Sequence, residues 1–370
     1  MNSMKDAPIE LLKSMLEIYS PSGKEKALAF FLMDKMRSLG FDRVRMDRVG
    51  NVYGEIGSGS PSVLLCGHMD TVLGEIHVRI EDNKVYGRGA VDAKSSLAAM
   101  ISAASSLELR ENRGKVMVAG VVEEERKAKG IRQLLREQLN PDYAIFGEPS
   151  GVKNITFAYK GKLGLRVVCK TSTGHIGARH LFDNAIERAY ELWDYLKKLF
   201  ESQASPHSIF YSVTPCLVAI HSRGNLSATP GICILDIDIR LPPTVKCDRG
   251  ISLIKEAVGD FQKKTPNLYI DMKVMDRVEP FVAKKDSILI GALREAIEEV
   301  VKEPSGLIRK TGTGDMNIFG TAVKIPVATY GPGDGRLSHT INEYINIKEY
   351  LLSIEVYKRA IEKLSLQELP

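Results

Sequence analysis

The chain has 370 residues, 44% hydrophobic and 26% charged, with a formal net charge of +5. That length exceeds one ordinary core and predicts two domains, while the balance of apolar and charged residues excludes a disordered or fibrous chain. No apolar run reaches the roughly 18 residues that a membrane span needs, and so mild a charge demands neither nucleic acid nor an acidic partner.

The amino-terminal stretch is charged and amphipathic, without the apolar core and cleavage site of a secretory signal. Residues 7–18 and 24–39 predict helices, the second opened by Ser-Pro-Ser-Gly at 20–23. Short strands are expected in DRVRMD (42–47), NVYGEIG (51–57) and SVLLCG (62–67). Residues 92–107, rich in Ala, Ser and Leu, predict a helix capped by Asp92. KVMVAGVV (115–122) is a further buried strand, GIRQLLREQL (130–139) a helix, and YAIFGEPS (143–150) a third strand ending in Gly-Glu-Pro. Apolar strands alternating with helices predict a mixed α/β sheet covered by helices.

The character changes near residue 160. Strands from GKLGLRVVCKTS, FYSVTPCLVAIHS, ICILDIDIRLPP and LYIDMKVM, with helices over 183–202 and around 249–264, give a β-α-β-β-α-β order. That is a ferredoxin-like α+β insertion. The α/β pattern then resumes with a helix over 286–300, the strand IPVATYG and a helix over 347–364. The expected division is one discontinuous domain, 1–160 with 275–370, interrupted by a second over 161–274.

Five cysteines are scattered without a Cys-x-x-Cys pair, which predicts neither a disulfide framework nor a zinc knuckle and fits a reducing cytoplasm. The chain has no phosphate-binding P-loop pattern, no Gly-x-Ser-x-Gly elbow and no basic-aromatic interleaving, which argues against nucleotide, serine-hydrolase and nucleic-acid readings.

Polar residues gather where the three strands end: His68 and Asp70, then Glu123, Glu124 and Glu125, then Glu148, with Asp92 after the glycine-rich YGRGAVD. Ligands of open α/β sheets bind at the carboxyl ends of strands. Taken singly, His68 is a solvated strand-end residue, the glutamates a helix start and Asp92 a cap. Together, several converging carboxylates would repel unless a cation lay between them. Imidazole plus carboxylate without thiolate suits zinc or a similar divalent metal. His77, His207 and His221 join no such group, and His180 is read as structural or exposed.

GHMDTV, GRGAVDAKSSLAAM, VEEERKAKG, FGEPS, KTGTGDMN and LSHTIN occur in this order over roughly residues 60–340. In them the chain resembles the zinc-dependent amidohydrolases, the group of ArgE, DapE, aminoacylase and carboxypeptidase G. The resemblance implies a catalytic domain with two divalent metals, zinc or alternatively cobalt, and an inserted lid that mediates dimerisation. By the matching positions, His68 and Glu148 would hold one metal, Glu125 and His339 the second, and Asp92 would bridge them. Asp70 would fix the His68 ring through its other nitrogen. Gly130, five residues beyond Glu125, sets Glu123 in the family's Asp position and makes Glu124 the general base, although the three glutamates leave a one-residue slip open. His175 matches the lid histidine that reaches a partner's active site and supplies an oxyanion donor, and Asn184 the family's Asn-Ala-Ile. Arg179 stands where the family has proline. Arg240 would grip a substrate carboxylate or else form a structural salt bridge, and Thr313 would line the pocket.

GRGAVDAK, KTGTGDMN and YGPGDGRLSHTINEY are most similar to the branch that releases lysine or ornithine from an acidic LysW-type carrier protein. In that branch the amide to the carrier's terminal glutamate side chain is hydrolysed, a step of lysine and arginine biosynthesis. Arg126, Lys127, Lys129, Arg132 and Arg136 would then steer the carrier, or form an ordinary solvated helix face. The competing expectations are a deacylase of small N-acyl amino acids (acetyl-ornithine or succinyl-diaminopimelate), a dipeptidase or carboxypeptidase, and a non-catalytic metal-binding descendant.

Overall fold

In the computed structural model the described residues are 3–108, 113–206 and 208–365, so His207 lies outside them. The chain divides into two compact units: residues 1–157, 283–308 and 314–370, and residues 158–282 with 309–313.

The elements in chain order begin with α1 (Ser3–Glu17), α2 (Lys26–Ser38), β1 (Asp42–Met46), β2 (Val52–Gly59), β3 (Ser62–His68), β4 (Arg79–Glu81) and β5 (Lys84–Tyr86). There follow α3 (Lys94–Ser105), β6 (Arg113–Val121), α4 (Lys129–Leu134), β7 (Tyr143–Phe146) and β8 (Asn154–Tyr159). The second unit holds β9 (Gly161–Lys170), α5 (Ala185–Ser202), β10 (Thr214–Ser222), β11 (Ile232–Leu241), α6 (Cys247–Lys263), β12 (Tyr269–Val278) and β13 (Phe281–Val282). The chain ends with α7 (Ile288–Val301), β14 (Gly306–Lys310), α8 (Asp315–Ala322), β15 (Val327–Thr329), β16 (Tyr344–Asn346) and α9 (Ile347–Ser365).

The first unit is built on a mixed sheet in the order β1-β2-β6-β3-β7-β15-β8. Its centre is parallel: β3 pairs with β6 on one side and β7 on the other, and β7 with β15. Every residue of β3 is buried, as a strand covered on both faces requires. The small side chains of α3 let it sit close to this sheet; a Cβ on Gly67 would lie 3.2 Å from Cβ of Leu97. On its other side α3 packs against α1 and α9.

Asp92 is not the cap of α3. The helix begins two residues later, at Lys94, its N-cap position is Ala93, and no side chain caps it. Asp92 is instead held by its main chain and turned toward the histidines described below. The helix expected over 130–139 is also shorter: α4 ends at Leu134 and passes into a 3-10 turn over Leu135–Glu137.

The second unit is an antiparallel sheet, β10-β11-β9-β12, with the β-α-β-β-α-β order expected from the sequence. Alternate residues of β11 (Cys233, Leu235, Ile237, Ile239 and Leu241) are buried against the apolar stripes of α5 and α6. All five cysteines are free, four of them buried. Among the described residues no helix is long and apolar enough to cross a membrane.

Candidate metal centre

Because β6, β3 and β7 are neighbours and parallel, their carboxyl ends lie side by side, which brings together residues far apart in sequence. His68 ends β3, Glu123–Glu125 follow β6, and Glu148 follows β7. Asp92 enters from the loop before α3, and His339 from the turn after residues 335–337 in a left-handed conformation, φ 64°.

Asp92 stands in the middle. Its Oδ1 lies 3.3 Å from Nε2 of His68 and its Oδ2 3.3 Å from Nε2 of His339. Glu148 Oε1 is 3.6 Å from the same His68 nitrogen, and His339 Nε2 contacts Glu125 Oε1 at 2.8 Å. Two donor groups result, His68–Asp92–Glu148 and Asp92–Glu125–His339, and a third combines His68 with Glu124 and Glu125. His68 Nε2 is buried and makes no hydrogen bond, although two carboxylate oxygens face it. With Nδ1 given to the Asp70 carbonyl, Nε2 turns a lone pair toward carboxylate oxygens, acceptor facing acceptor, which is the arrangement that a cation between them would use. The donor set therefore fits two cations sharing Asp92.

The supports are specific. Nδ1 of His68 lies 2.8 Å from the main-chain oxygen of Asp70, whereas the Asp70 carboxylate is 3.6 Å away. It is the Asp70 carbonyl that meets the ring, through the nitrogen that faces away from the other carboxylates. The carboxylate does something else: Oδ1 accepts the amide of Glu124 at 3.0 Å and Oδ2 that of Glu125 at 3.1 Å. Two further residues were not visible as site residues in the sequence. Buried Glu343 accepts the amides of Gly89, Val91 and Asp92 through Oε1, and through Oε2 meets Nη1 of buried Arg88 at 2.8 Å. Only their position inside the GRGAVD and SHTINEY motifs could have flagged them.

The three glutamates do not point alike. Glu123 is left-handed, φ 53°, and its carboxylate lies 3.6 Å from Lys129, while Glu124 and Glu125 join His68. Gly130 is needed because α4 starts against the end of β6, where a Cβ would lie 2.5 Å from Val122 N.

Electrostatics agree with a site that wants positive charge. Burial, reinforced by Glu148, pushes the Glu124 carboxyl well above its usual range. Burial also raises Glu125, against the opposing pull of His339. Asp92 is half-buried, but the two imidazoles outweigh its desolvation and hold it far below the carboxylate range. Asp92 and then Glu125 push His339 up to about 10. Asp315, at the start of α8, is pushed up to about 7 by burial, and its Oδ1 finds no hydrogen-bond partner.

The other four expected residues lie on the second unit. His175 is exposed, and its Nδ1 accepts the Gly177 amide at 3.0 Å. Asn184 caps α5, accepting the Ile186 amide at 2.9 Å. Arg240 donates from Nε to Asp238 Oδ1 at 2.6 Å and from Nη1 to Thr313 Oγ1 at 3.4 Å. His180 and His77 are exposed, and exposed His221 lies 3.6 Å from Asp236.

Comparison with known proteins gives consistent matches. Residues 64–363 match peptidase family M20/M25/M40. A LysW-lysine/LysW-ornithine hydrolase of Sulfurisphaera tokodaii is 33% identical over 360 residues, which cover 97% of this chain and 96% of that protein. A LysW-lysine hydrolase of Deinococcus radiodurans is 34% identical over 365 residues, covering 96% of each. Among solved structures, a tripeptidase from Staphylococcus aureus shares the fold with a TM-score of 0.83 at 20% identity, over 98% of this chain and 99% of that one. An M20 family metallo-carboxypeptidase from Sulfolobus solfataricus does so with a TM-score of 0.77 at 17% identity, over 99% and 100%.

Proposed function

Since the chain belongs to peptidase family M20/M25/M40, we propose that the His68–Asp92–His339 cluster is the centre of a two-metal amidohydrolase. Its substrate is lysine, ornithine or both, held by the α-amino group on the terminal glutamate side chain of a LysW-type carrier protein. The carrying observation is Asp92, whose two oxygens face two different histidines at equal distance. The names of relatives that align over almost the whole chain support the substrate.

His68 and Glu148 would hold one cation and Glu125 and His339 the other, with Asp92 between them. Zinc suits this donor set, and cobalt is the alternative. When bound, the pair would lower the pKa of the attacking water and polarise the amide carbonyl. Glu124, beside His68 and outside the two groups that share Asp92, takes the proton from that water and returns it to the leaving α-amino nitrogen. The separate pairing of Glu123 with Lys129 supports Glu124 over its neighbour in this role. His175 accepts at Nδ1, so its neutral ring carries the proton on Nε2, free to donate to a developing oxyanion. Arg240 keeps Nη2 free of its Asp238 and Thr313 contacts for a substrate carboxylate, beside Thr313 and with Asn184 as a further contact.

The second unit serves as lid and dimerisation unit in this reading. Strand β10 is a sheet edge with Val218 65% exposed, the kind of edge that a second copy would cover. Free, scattered cysteines fit a cytoplasmic enzyme.

The test is a hydrolysis assay of carrier-linked lysine and ornithine beside acetyl-ornithine, succinyl-diaminopimelate and dipeptides, with zinc or cobalt supplied. Release of amino acid from the carrier at the highest kcat/KM is expected. Turnover of the small amides alone would sink the substrate reading and leave the hydrolase reading standing.

A further inference from the structure

Residues 20–25, Ser-Pro-Ser-Gly-Lys-Glu, join α1 to α2 and have had no part in the site so far. They run alongside the residues that follow His68. Pro21 bridges Thr71 in parallel register, the Thr71 amide donates to Ser20 O at 3.0 Å, and the Ser22 amide donates to Thr71 O at 3.2 Å. Ser20 Oγ donates to Met69 O at 2.8 Å, and Ser22 Oγ to Asp70 Oδ2 at 2.7 Å. The stretch ends at Glu25, a carboxylate only 5% exposed, whose Oε1 accepts the amides of Gly23 at 2.9 Å and Glu123 at 3.0 Å.

Set beside Asp70, Glu25 completes a pattern. The successive amides of Glu123, Glu124 and Glu125 donate to Glu25 Oε1, Asp70 Oδ1 and Asp70 Oδ2 at 3.0, 3.0 and 3.1 Å. Glu123 needs this grip because it is left-handed, a conformation that a non-glycine residue keeps only where its surroundings over-determine it. Its carbonyl is tied too, accepting the amides of Lys127 at 3.2 Å and Ala128 at 2.7 Å. Three identical side chains in a row carry no chemical label saying which of them should face His68. The backbone turn at Glu123 decides it, and Glu25 holds the amide of that turn.

We propose that Glu25 is a positioning residue for the reaction: by holding the Glu123 amide it determines that Glu124 and Glu125, and not Glu123, face the cluster of His68, Asp92 and His339. The kinetic part of its test rests on the hydrolase reading above; the exchange part does not.

Two variants separate reach from charge. Glu25→Gln keeps an oxygen acceptor at the same reach without the charge, and Glu25→Asp keeps the charge but withdraws the acceptor by one methylene. In the metal-free protein, hydrogen exchange of the Glu123–Glu125 amides should quicken about tenfold in Glu25→Asp and stay near wild type in Glu25→Gln. In the metal-loaded protein, Glu25→Asp should lose about a hundredfold in kcat, the scale of an ångström's misplacement, at unchanged KM and metal content. Glu25→Gln should retain most of kcat. Wild-type exchange and kcat in Glu25→Asp would overturn the proposal. So would a Glu25→Gln as impaired as Glu25→Asp, which would make charge the operative property, or metal loss in step with activity. Should Glu25→Asp not fold, Glu25→Gln decides alone, and faster exchange or lower kcat in it overturns the proposal. Glu124→Gln, run alongside, separates the two readings: full hydrolysis by that variant defeats the base assignment, while the exchange comparison still judges Glu25.

Discussion

Glu343 holds Asp92 by the main chain: its Oε1 accepts the Asp92 amide at 2.9 Å while its other oxygen meets Arg88 at 2.8 Å. Both charged side chains are buried. Removing one partner leaves the other as an uncompensated buried charge, which costs about 3–5 kcal/mol. Glu343→Ala should therefore lower the denaturation midpoint strongly and also weaken metal uptake, because three amides of the Asp92 loop lose their shared acceptor. Measuring both by denaturant titration and metal analysis checks this; a stable variant with full metal content would contradict it.

Glu124 offers a sharper separation of chemistry from structure. Glu124→Gln should keep its metals and fold, yet lose about 10²–10⁴-fold in kcat, the usual contribution of a general base. Unchanged turnover in a stopped assay with verified metal content would rule out the assignment.

Metal uptake must compete with a proton at His339, which its carboxylate neighbours push up to about 10. The metal-free protein therefore carries an imidazolium there at neutral pH. Its folded pKa lies above the unfolded one, so the stabilisation is whole below about pH 6.5 and is lost as pH rises through 10. Binding a cation expels that proton, so affinity should rise with pH and calorimetry in buffers of different ionisation heat should record proton release. Buffer-independent heats at neutral pH would refute this.

Asp315 has the same pH slope over a lower window, although here it is the charged form that the fold disfavours. Burial pushes its carboxyl up to about 7, above its unfolded value of 3.8. Below that lower value both states are protonated and no cost arises. As pH rises toward 7 the unfolded chain ionises first and native stability falls. Asp315→Asn in the metal-free protein should be more stabilising, or less destabilising, above pH 7 than near pH 4. An effect independent of pH, measured by urea unfolding, would show that Asp315 ionises normally.

Arg126, Lys127, Lys129, Arg132 and Arg136 are all exposed. Added salt should weaken turnover of a carrier-linked substrate much more than that of a small N-acyl amino acid, and Arg132→Glu with Arg136→Glu should mimic salt on the carrier alone. Equal salt sensitivity for both substrates would remove the docking role from this face.

Much of this architecture is legible in the sequence because buried strands are apolar and their polar exits are not. SVLLCG, KVMVAGVV and YAIF mark β3, β6 and β7, and the residues just beyond them form the cluster. The three-residue strands β4, β5 and β16 are too short for periodicity to register, and α8 is hidden among glycines. Asp92 misleads for a definite reason: aspartate before an alanine-rich helix has the composition of a cap, and here the same residue type serves the site instead. Glu343 is silent in the sequence because its function is a main-chain contact across 251 residues, which no local pattern encodes. The direction of each glutamate in the triplet also depends on a backbone turn, and composition does not specify one.

The wide separation of the cluster's members in the chain has a consequence for synthesis. His68 and Asp92 leave the ribosome first, then Glu125 and Glu148, and the entire second unit follows before His339 emerges. Domains tend to fold as they appear, so the inserted unit can be complete while the first one still lacks β15, α9 and its last histidine. A nascent chain would carry carboxylates crowded at the ends of three strands, without the second imidazole to offset them, until the whole inserted unit and the segment after it have been made.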